Sequence, residues 1–343
     1  MAANAEDNAM EEYIEDISKL DPEKSVVCVF KHNMHCAVFK GTYWINNWPR
    51  KWKAPNVPAP DWFGKESGMD LAEWYKTWMN FKAREDDIII SAYPKSGHHW
   101  MFEVVHMILN HTTESVNKCK ENNFIEMRTM EELDAIPSPR ILLTHFEYNH
   151  IAPDIFKKGC KIFYLYRNPK DVAVSYFYHM TTLQAVYKFT GTWDQYFDLL
   201  ISGTRNNNGK NCKYFKDESG RWLDNVPDWW EKSKNDKNTL ILSYEQMKKN
   251  FVTNVKKLSE FLGKTYDMNF YEEVEKACSI KVMKKNPKLD SLTDFVKQGK
   301  PGMIRKGEIG GWKNYFTVAQ NELFDAEYNK VMVNHKDLTV EFE

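Results

Sequence analysis

The chain has 343 residues, with 47 Lys and Arg against 48 Asp and Glu, for a formal charge of −1. That length supplies a sizeable core in one large domain or two ordinary ones. The balanced charge speaks against a protein that lives on nucleic acid, whose footprint is a strong basic excess.

Aromatic residues are 14% of the chain, enough to fill a core and to line a pocket for an apolar or ring-bearing ligand. None of Cys28, Cys36, Cys119, Cys160, Cys212 and Cys278 falls in a Cys-x-x-Cys pair, and no His/Cys cluster has zinc spacing. The opening "MAANAEDNAMEEYIEDISKL" is acidic and lacks the apolar core of a secretory signal, and no apolar run approaches a membrane span. Free thiols without a signal give the expectation of a cytoplasmic protein.

In chain order, residues 1–24 read as an acidic arm, and 25–343 as one domain. The β-rich runs of 25–48 suggest a small hairpin, and the Pro- and Trp-rich 49–69 an irregular connection. "DLAEWYKTWMNFKA" (70–83) has helical spacing, with Asp70 as candidate N-cap. The pattern then becomes strand, turn, helix, repeated. The continuous apolar runs 87–93, 140–145, 160–167 and 238–244 predict strands buried on both faces. Helices are predicted at 99–110, 168–187, 246–262, 268–278 and 317–332, with Pro169 early in the second and Thr317 capping the last. This alternation predicts an α/β fold with a central parallel sheet flanked by helices. Ligands of such sheets bind outside the carboxyl ends of the strands, just after Tyr93, Thr144, Tyr166 and Ser243. The polar 202–221 segment reads as a surface excursion.

The turn after the first buried strand, "AYPKSGHHW" (92–100), has the make-up of an anion cradle. A helix start offers unpaired N–H groups and a positive dipole end, Gly97 permits close backbone approach, and Lys95 adds a mobile charge. The pattern is not G-x-x-x-x-G-K-[ST], which disfavours an ordinary nucleotide kinase or ATPase. Two more cationic segments follow: "YRNPKDVAVS" (166–175), with Arg167 at a strand end and Ser175 two turns into a helix, and "IRKGEIGGWKNYFT" (304–317), with Arg305, Lys306 and Gly307. Together they could meet one nucleotide that carries phosphate at two places.

These three segments, in this order, resemble the signatures of the cytosolic sulfotransferases, over roughly residues 85–330. The resemblance implies one α/β domain with a P-loop-like strand–loop–helix for the phosphosulfate. It implies 3′-phosphoadenosine 5′-phosphosulfate (PAPS) as donor and 3′-phosphoadenosine 5′-phosphate (PAP) as product. By position, Lys95, Ser96, Gly97, His98, His99 and Trp100 would surround the 5′-phosphate and adenine. Arg167, Ser175, Arg305, Lys306 and Gly307 would hold the 3′-phosphate. Tyr244, Cys278, Ile280 and Met303 would line the nucleotide further on. His145 matches the catalytic base, Lys95 would stabilise the leaving phosphate oxygen, and Ser175 would restrain Lys95. The chemistry is an in-line displacement driven by positioning and fixed charge, so no metal is expected. "KNYFTVAQNE" (313–322) matches the family's dimer segment and implies a homodimer through Lys313, Thr317, Val318 and Glu322.

Six positions depart from the family pattern: His98 and His99 stand where hydroxyl residues are usual, Cys278 and Ile280 where Thr and Phe are usual, Gly311 replaces an aspartate, and Leu143 replaces a lysine found in several relatives. The expected acceptor is a small lipophilic alcohol, phenol or amine. The alternatives are a protein that binds PAP or PAPS with little or no turnover, a retinol-dehydratase-like variant, and a diverged nucleotide kinase.

Overall fold

The computed structural model describes residues 26–30, 34–39, 42–45, 71–116, 123–182, 191–202, 221–286 and 304–343. The acidic arm, Asp70, the 49–69 connection, nearly all of the 202–221 excursion and Met303 lie outside the described residues.

Three short strands come first: β1 (Val26–Phe30), β2 (Met34–Phe39) and β3 (Thr42–Ile45). They form an antiparallel sheet in the order β1-β2-β3, one strand more than the expected hairpin. Helix α1 (Leu71–Met79) follows. The main sheet is built from β4 (Ile88–Ala92), β5 (Ile141–Thr144), β6 (Lys161–Tyr166) and β7 (Thr239–Ser243). Its order is β5-β4-β6-β7 and every pair is parallel.

The apolar runs form strands because both faces of the sheet are covered. Along β4, Ile88, Ile90 and Ala92 join one core with Met101, Val105 and Ile108 of helix α2 (His98–Asn110). Ile89 points the other way, into a core with Trp78, Phe146 and Trp229. This alternation is the period of a strand, and burial of both sets explains why the sequence shows no polar face.

After β4 the chain turns to β5 on one side, and after β6 it moves away on the other. The carboxyl ends of β4 and β6 therefore flank the point where the strand order reverses, the usual ligand crevice of such sheets. Helix α3 (Met130–Asp134) and α4 (Pro153–Lys158) precede β5 and β6 respectively. Behind β6 runs α5 (Pro169–Thr182), with Pro169 as its first residue. Helices α6 (Trp193–Ser202) and α7 (Trp222–Ser233) lead to β7. The predicted helix 246–262 is two, α8 (Tyr244–Lys249) and α9 (Phe251–Phe261), because Asn250 leaves helical geometry at φ −132 and ψ 51. Then come α10 (Met268–Ala277), the short α11 (Ile280–Met283), and α12 (Val318–Met332), which Thr317 caps in a capping box with Gln320.

Candidate functional site

The loop between β4 and α2 is wound around two left-handed residues, Lys95 at φ 67 and Gly97 at φ 114. Such a conformation costs a lysine free energy and persists where the surroundings over-determine it. The Ser96 N–H donates to the Tyr93 carbonyl at 3.1 Å, closing the turn. No side chain among the described residues caps α2, so its first N–H groups face the loop. A Cβ on Gly97 would stand 3.0 Å from Tyr244 and 3.2 Å from Leu165, so only glycine lets the loop lie this close to β6 and α8. Ser96 is fully buried and its Oγ has no hydrogen-bond partner among the described residues.

Two imidazoles meet beside this loop. His145, just past β5, approaches the Ala92 carbonyl with Nδ1 at 2.8 Å. A carbonyl only accepts, so Nδ1 carries the hydrogen and Nε2 is the basic nitrogen. That nitrogen lies 3.4 Å from Nδ1 of His98, whose own Nε2 is 2.9 Å from the Ile90 carbonyl. Phe124 packs against both rings, at 5.3 Å from His98 and 5.1 Å from His145. Beneath them, Glu126 Oε1 accepts from the His145 N–H and, at 2.7 Å, from the Thr144 hydroxyl. Burial pushes the Glu126 carboxyl up to about 7, with the bonds from His145 and Thr144 opposing the shift. Its Oε2 is buried without a partner among the described residues.

From β6 and α5 comes the cationic side. Arg167 donates to the Lys95 carbonyl at 3.4 Å and to the Glu308 carbonyl at 2.8 Å, and its guanidinium lies 4.5 Å over the Tyr244 ring. Its Nε is buried and without a hydrogen-bond partner among the described residues. Asp171, one turn on, accepts from the N–H groups of Gly310 at 2.8 Å and Trp312 at 2.9 Å. This latch fixes the 304–312 loop over the site. A Cβ at Gly311 would sit 3.6 Å from Asp171 Oδ1, in ordinary van der Waals contact, so this position lies against the latch. Burial raises the Asp171 carboxyl, while Arg167 and the two N–H donors pull it down. Lys170 pins α12 to the same loop, at 2.6 Å from Asp325 and 4.4 Å over Trp312.

One cavity of about 430 Å³ joins these pieces. Among the described residues, six cations line it, Lys95, Arg167, Lys248, Lys281, Arg305 and Lys306, with Glu275 as the one carboxylate. A chain of net charge −1 has thus gathered positive charge around one concave surface, which suits a polyanionic ligand. The buried, unpartnered Ser96 hydroxyl and Arg167 Nε beside it fit an anionic group.

A family model described as "Sulfotransferase domain" matches residues 85–336. The chain belongs to the sulfotransferase family. Sulfotransferase 1B1 of Mus musculus is 36% identical over 268 residues, covering 74% of this chain and 84% of its own. The crystal structure of mouse sulfotransferase SULT7A1 complexed with PAP is 33% identical with a TM-score of 0.61, covering 76% of this chain and 90% of that one. Retinol dehydratase with androsterone and PAP has a TM-score of 0.62 at 20% identity, over 78% of this chain and 87% of that one, a likeness of fold alone.

In this sulfotransferase the cavity brings together Lys95, Gly97, His98, His99, Trp100, His145, Arg167, Ser175, Tyr244, Cys278, Ile280, Arg305, Lys306 and Gly307. Ser96, in the same loop, is fully buried and is not among the lining residues, and Met303 is outside the described residues. The Lys95 ammonium lies 3.4 Å from Nδ1 of His179, one helical turn past Ser175. Sequence reasoning gave His179 no role, although its spacing of four from Ser175 puts both on one face of α5. It also missed Glu126, whose only signal is a glutamate in an apolar stretch, and Asp171, which lies inside the 166–175 motif but holds the protein's own backbone. Cys278 is buried, which pushes its thiol up and leaves it a wall of the cavity and not a reactive group. Among the described residues no helix is long and apolar enough to cross a membrane.

Proposed function

We propose that this enzyme transfers the sulfuryl group of PAPS to the hydroxyl or amine of a small lipophilic acceptor. The observation that carries the reading is the cavity at the ends of β4 and β6, where, among the described residues, six cations and one carboxylate surround the left-handed Lys95 loop. Lys95, Ser96, Gly97, His99 and the first N–H groups of α2 would take the 5′-phosphosulfate. Arg167, Ser175, Arg305, Lys306 and Gly307 would take the 3′-phosphate. Trp100 and Tyr244, ring centroids 5.4 Å apart, with Cys278 and Ile280, would enclose the adenine. The PAP-bound mouse relative at 33% identity supports this donor.

PAPS supplies an electrophilic sulfur with a phosphate leaving group. The remaining chemistry belongs to the chain. His145, its Nδ1–H committed to the Ala92 carbonyl, presents Nε2 to take the acceptor's proton. Lys95 offsets charge on the leaving oxygen, and His179 joins Ser175 in restraining that lysine. Phe124 beside His145, and Tyr176 and Phe251 on the walls, favour an apolar acceptor. In the dimer segment, Lys313, Thr317, Glu322 and Val318, which is 77% exposed, are presented outward as a homodimer contact would require.

Calorimetric titration with PAP, with ATP as comparison, tests the donor. PAP should bind at least about tenfold more tightly than ATP, a difference of about 1.4 kcal/mol. His145→Ala should then lose about 10²–10⁴ of turnover while PAP affinity stays within about twofold. No detectable PAP binding would reduce the reading to fold. A second reading, PAP or PAPS binding without turnover, is favoured by the His98 ring lying against the His145 base. Turnover of any acceptor with PAPS removes it.

A further inference from the structure

The sequence "KSGHHW" places an imidazole at position 98 where the family usually has a hydroxyl, and the fold turns it onto His145. We propose that His98 and His145 act as one proton-holding pair, in which His98 sets the proton affinity of the base. This rests on His145 being the base in sulfuryl transfer.

The outer nitrogens fix the tautomers. His98 Nε2 is 2.9 Å from the Ile90 carbonyl and His145 Nδ1 is 2.8 Å from the Ala92 carbonyl. Both carbonyls belong to β4, and neither can donate, so each outer nitrogen carries a hydrogen. A neutral imidazole has only one. The inner nitrogens, His98 Nδ1 and His145 Nε2, then both present lone pairs across 3.4 Å. Facing lone pairs repel. One proton between them turns the repulsion into an N–H···N bond, while a second would put two positive rings 4.3 Å apart, centre to centre. The pair binds its first proton more tightly than a lone histidine in the same place, and its second more weakly. It titrates in two steps that belong to both residues.

The surroundings do not close that gap. The pair's own loop brings Lys95 and His99, and the 304–312 loop brings Arg305 and Lys306 to the same cavity. From β6 and α5 come Arg167, Tyr176 and His179. The positive charges of Lys95, Arg167, Arg305 and Lys306 disfavour both protonations alike. Glu126 grips the backbone N–H of His145 and not its ring.

In the reaction, the active base is the neutral pair. The acceptor O–H breaks and its proton goes to His145 Nε2, shared with His98 Nδ1. The acceptor oxygen bonds to sulfur, the sulfur–phosphate oxygen bond breaks, and its electrons stay on the leaving phosphate. Removing the lone-pair clash adds driving force that a single histidine lacks, but the pair is already protonated over more of the acid range. His98 is therefore a positioning residue that tunes the pH at which the base works.

The test is an imidazole 15N NMR titration of the whole protein, alongside the pH profile of kcat/KM for an accepted alcohol or phenol. In the unmodified protein the two inner nitrogens should titrate together, in two steps more than about one pH unit apart. In His98→Thr, which restores a hydroxyl, His145 should titrate in one step, and the acid limb of kcat/KM should move down by about one pH unit, tenfold in proton concentration. His98→Asn gives the same readout should the threonine variant not fold, and Glu126→Gln should keep the two steps. Independent single steps in the unmodified protein, or an acid limb that stays in place without His98, overturn the pair and leave the base standing. Retained turnover in His145→Ala overturns both.

Discussion

At the amino end of the parallel sheet, the buried Arg140 uses all of its donors. It holds Asp87 at 2.7 and 2.6 Å, Asp134 at 3.1 Å, and the carbonyls of Leu133 and Lys82 at 3.2 and 3.3 Å. At the carboxyl end, Ser96 Oγ, Arg167 Nε and Glu126 Oε2 are buried with no partner among the described residues. Both ends lie in one fold and bury charged groups, yet one is closed and the other is left open. An unsatisfied buried group costs about 1–3 kcal/mol. The Ser96 hydroxyl and the Arg167 Nε–H can both donate, so an anionic ligand would complete their hydrogen bonding, while the closed end fixes how β4 and β5 start together.

The largest effect that separates the ends is expected at Arg140. Arg140→Ala leaves Asp87 buried and uncompensated, and removal of one partner of such a pair costs about 3–5 kcal/mol. The urea midpoint should fall accordingly, while PAP affinity of the folded fraction is unchanged. If PAP affinity fell in step, the two ends would be one energetic unit and the comparison would break.

The next effect is a pH dependence at the open end. The Glu126 carboxyl is raised by burial from the usual 4.5 to about 7. The folded state thus holds this proton more tightly than the unfolded chain does. Its contribution favours folding most below the unfolded value, declines as pH rises from about 4.5 to about 7, and is level above that. The decline is on the order of 3 kcal/mol, since each tenfold difference in proton affinity between the two states is worth about 1.4 kcal/mol. Glu126→Gln should remove this slope from a series of urea melts between pH 4.5 and 7.5. A slope that persists would assign it to other groups.

The division between the ends also explains what the sequence disclosed. Strands 87–93 and 160–167 were readable because burial on both faces leaves a continuous apolar run, and β4 and β6 fall inside those bounds. Lys95, Arg167 and Arg305 were readable because cations beside glycines and strand ends have few structural uses. What stayed hidden depends on pairs far apart in the chain. The contact between His98 and His145 spans 47 positions, and that between Lys95 and His179 spans 84. No local periodicity encodes either. Arg140 and Asp87 were hidden for the same reason, at a separation of 53. Asn250, which divides α8 from α9, is one of several polar residues in a helical pattern, and nothing in the spacing marks its φ of −132 as a break.

The smallest predicted effect is the most local, at the roof of the cavity. Gly307 has φ 65, and a Cβ there would clash with Ile280 Cδ1 and lie 3.4 Å from the Tyr244 hydroxyl. Gly307→Ala therefore has two costs. A left-handed alanine costs roughly 1–2 kcal/mol wherever it stands, and the Ile280 side chain must swing aside. Because Ile280 lines the cavity, the second cost should appear in ligand affinity and not only in stability. PAP affinity should fall about tenfold, about 1.4 kcal/mol, with the urea midpoint reduced as well. Ile280→Val removes Cδ1, so the double variant should recover most of the affinity but not the stability, since the backbone conformation is untouched. Recovery of both would mean that the clash was the entire cost. Recovery of neither would mean that the Gly307 backbone itself meets the ligand, which would extend the open end of the sheet to the 304–312 loop.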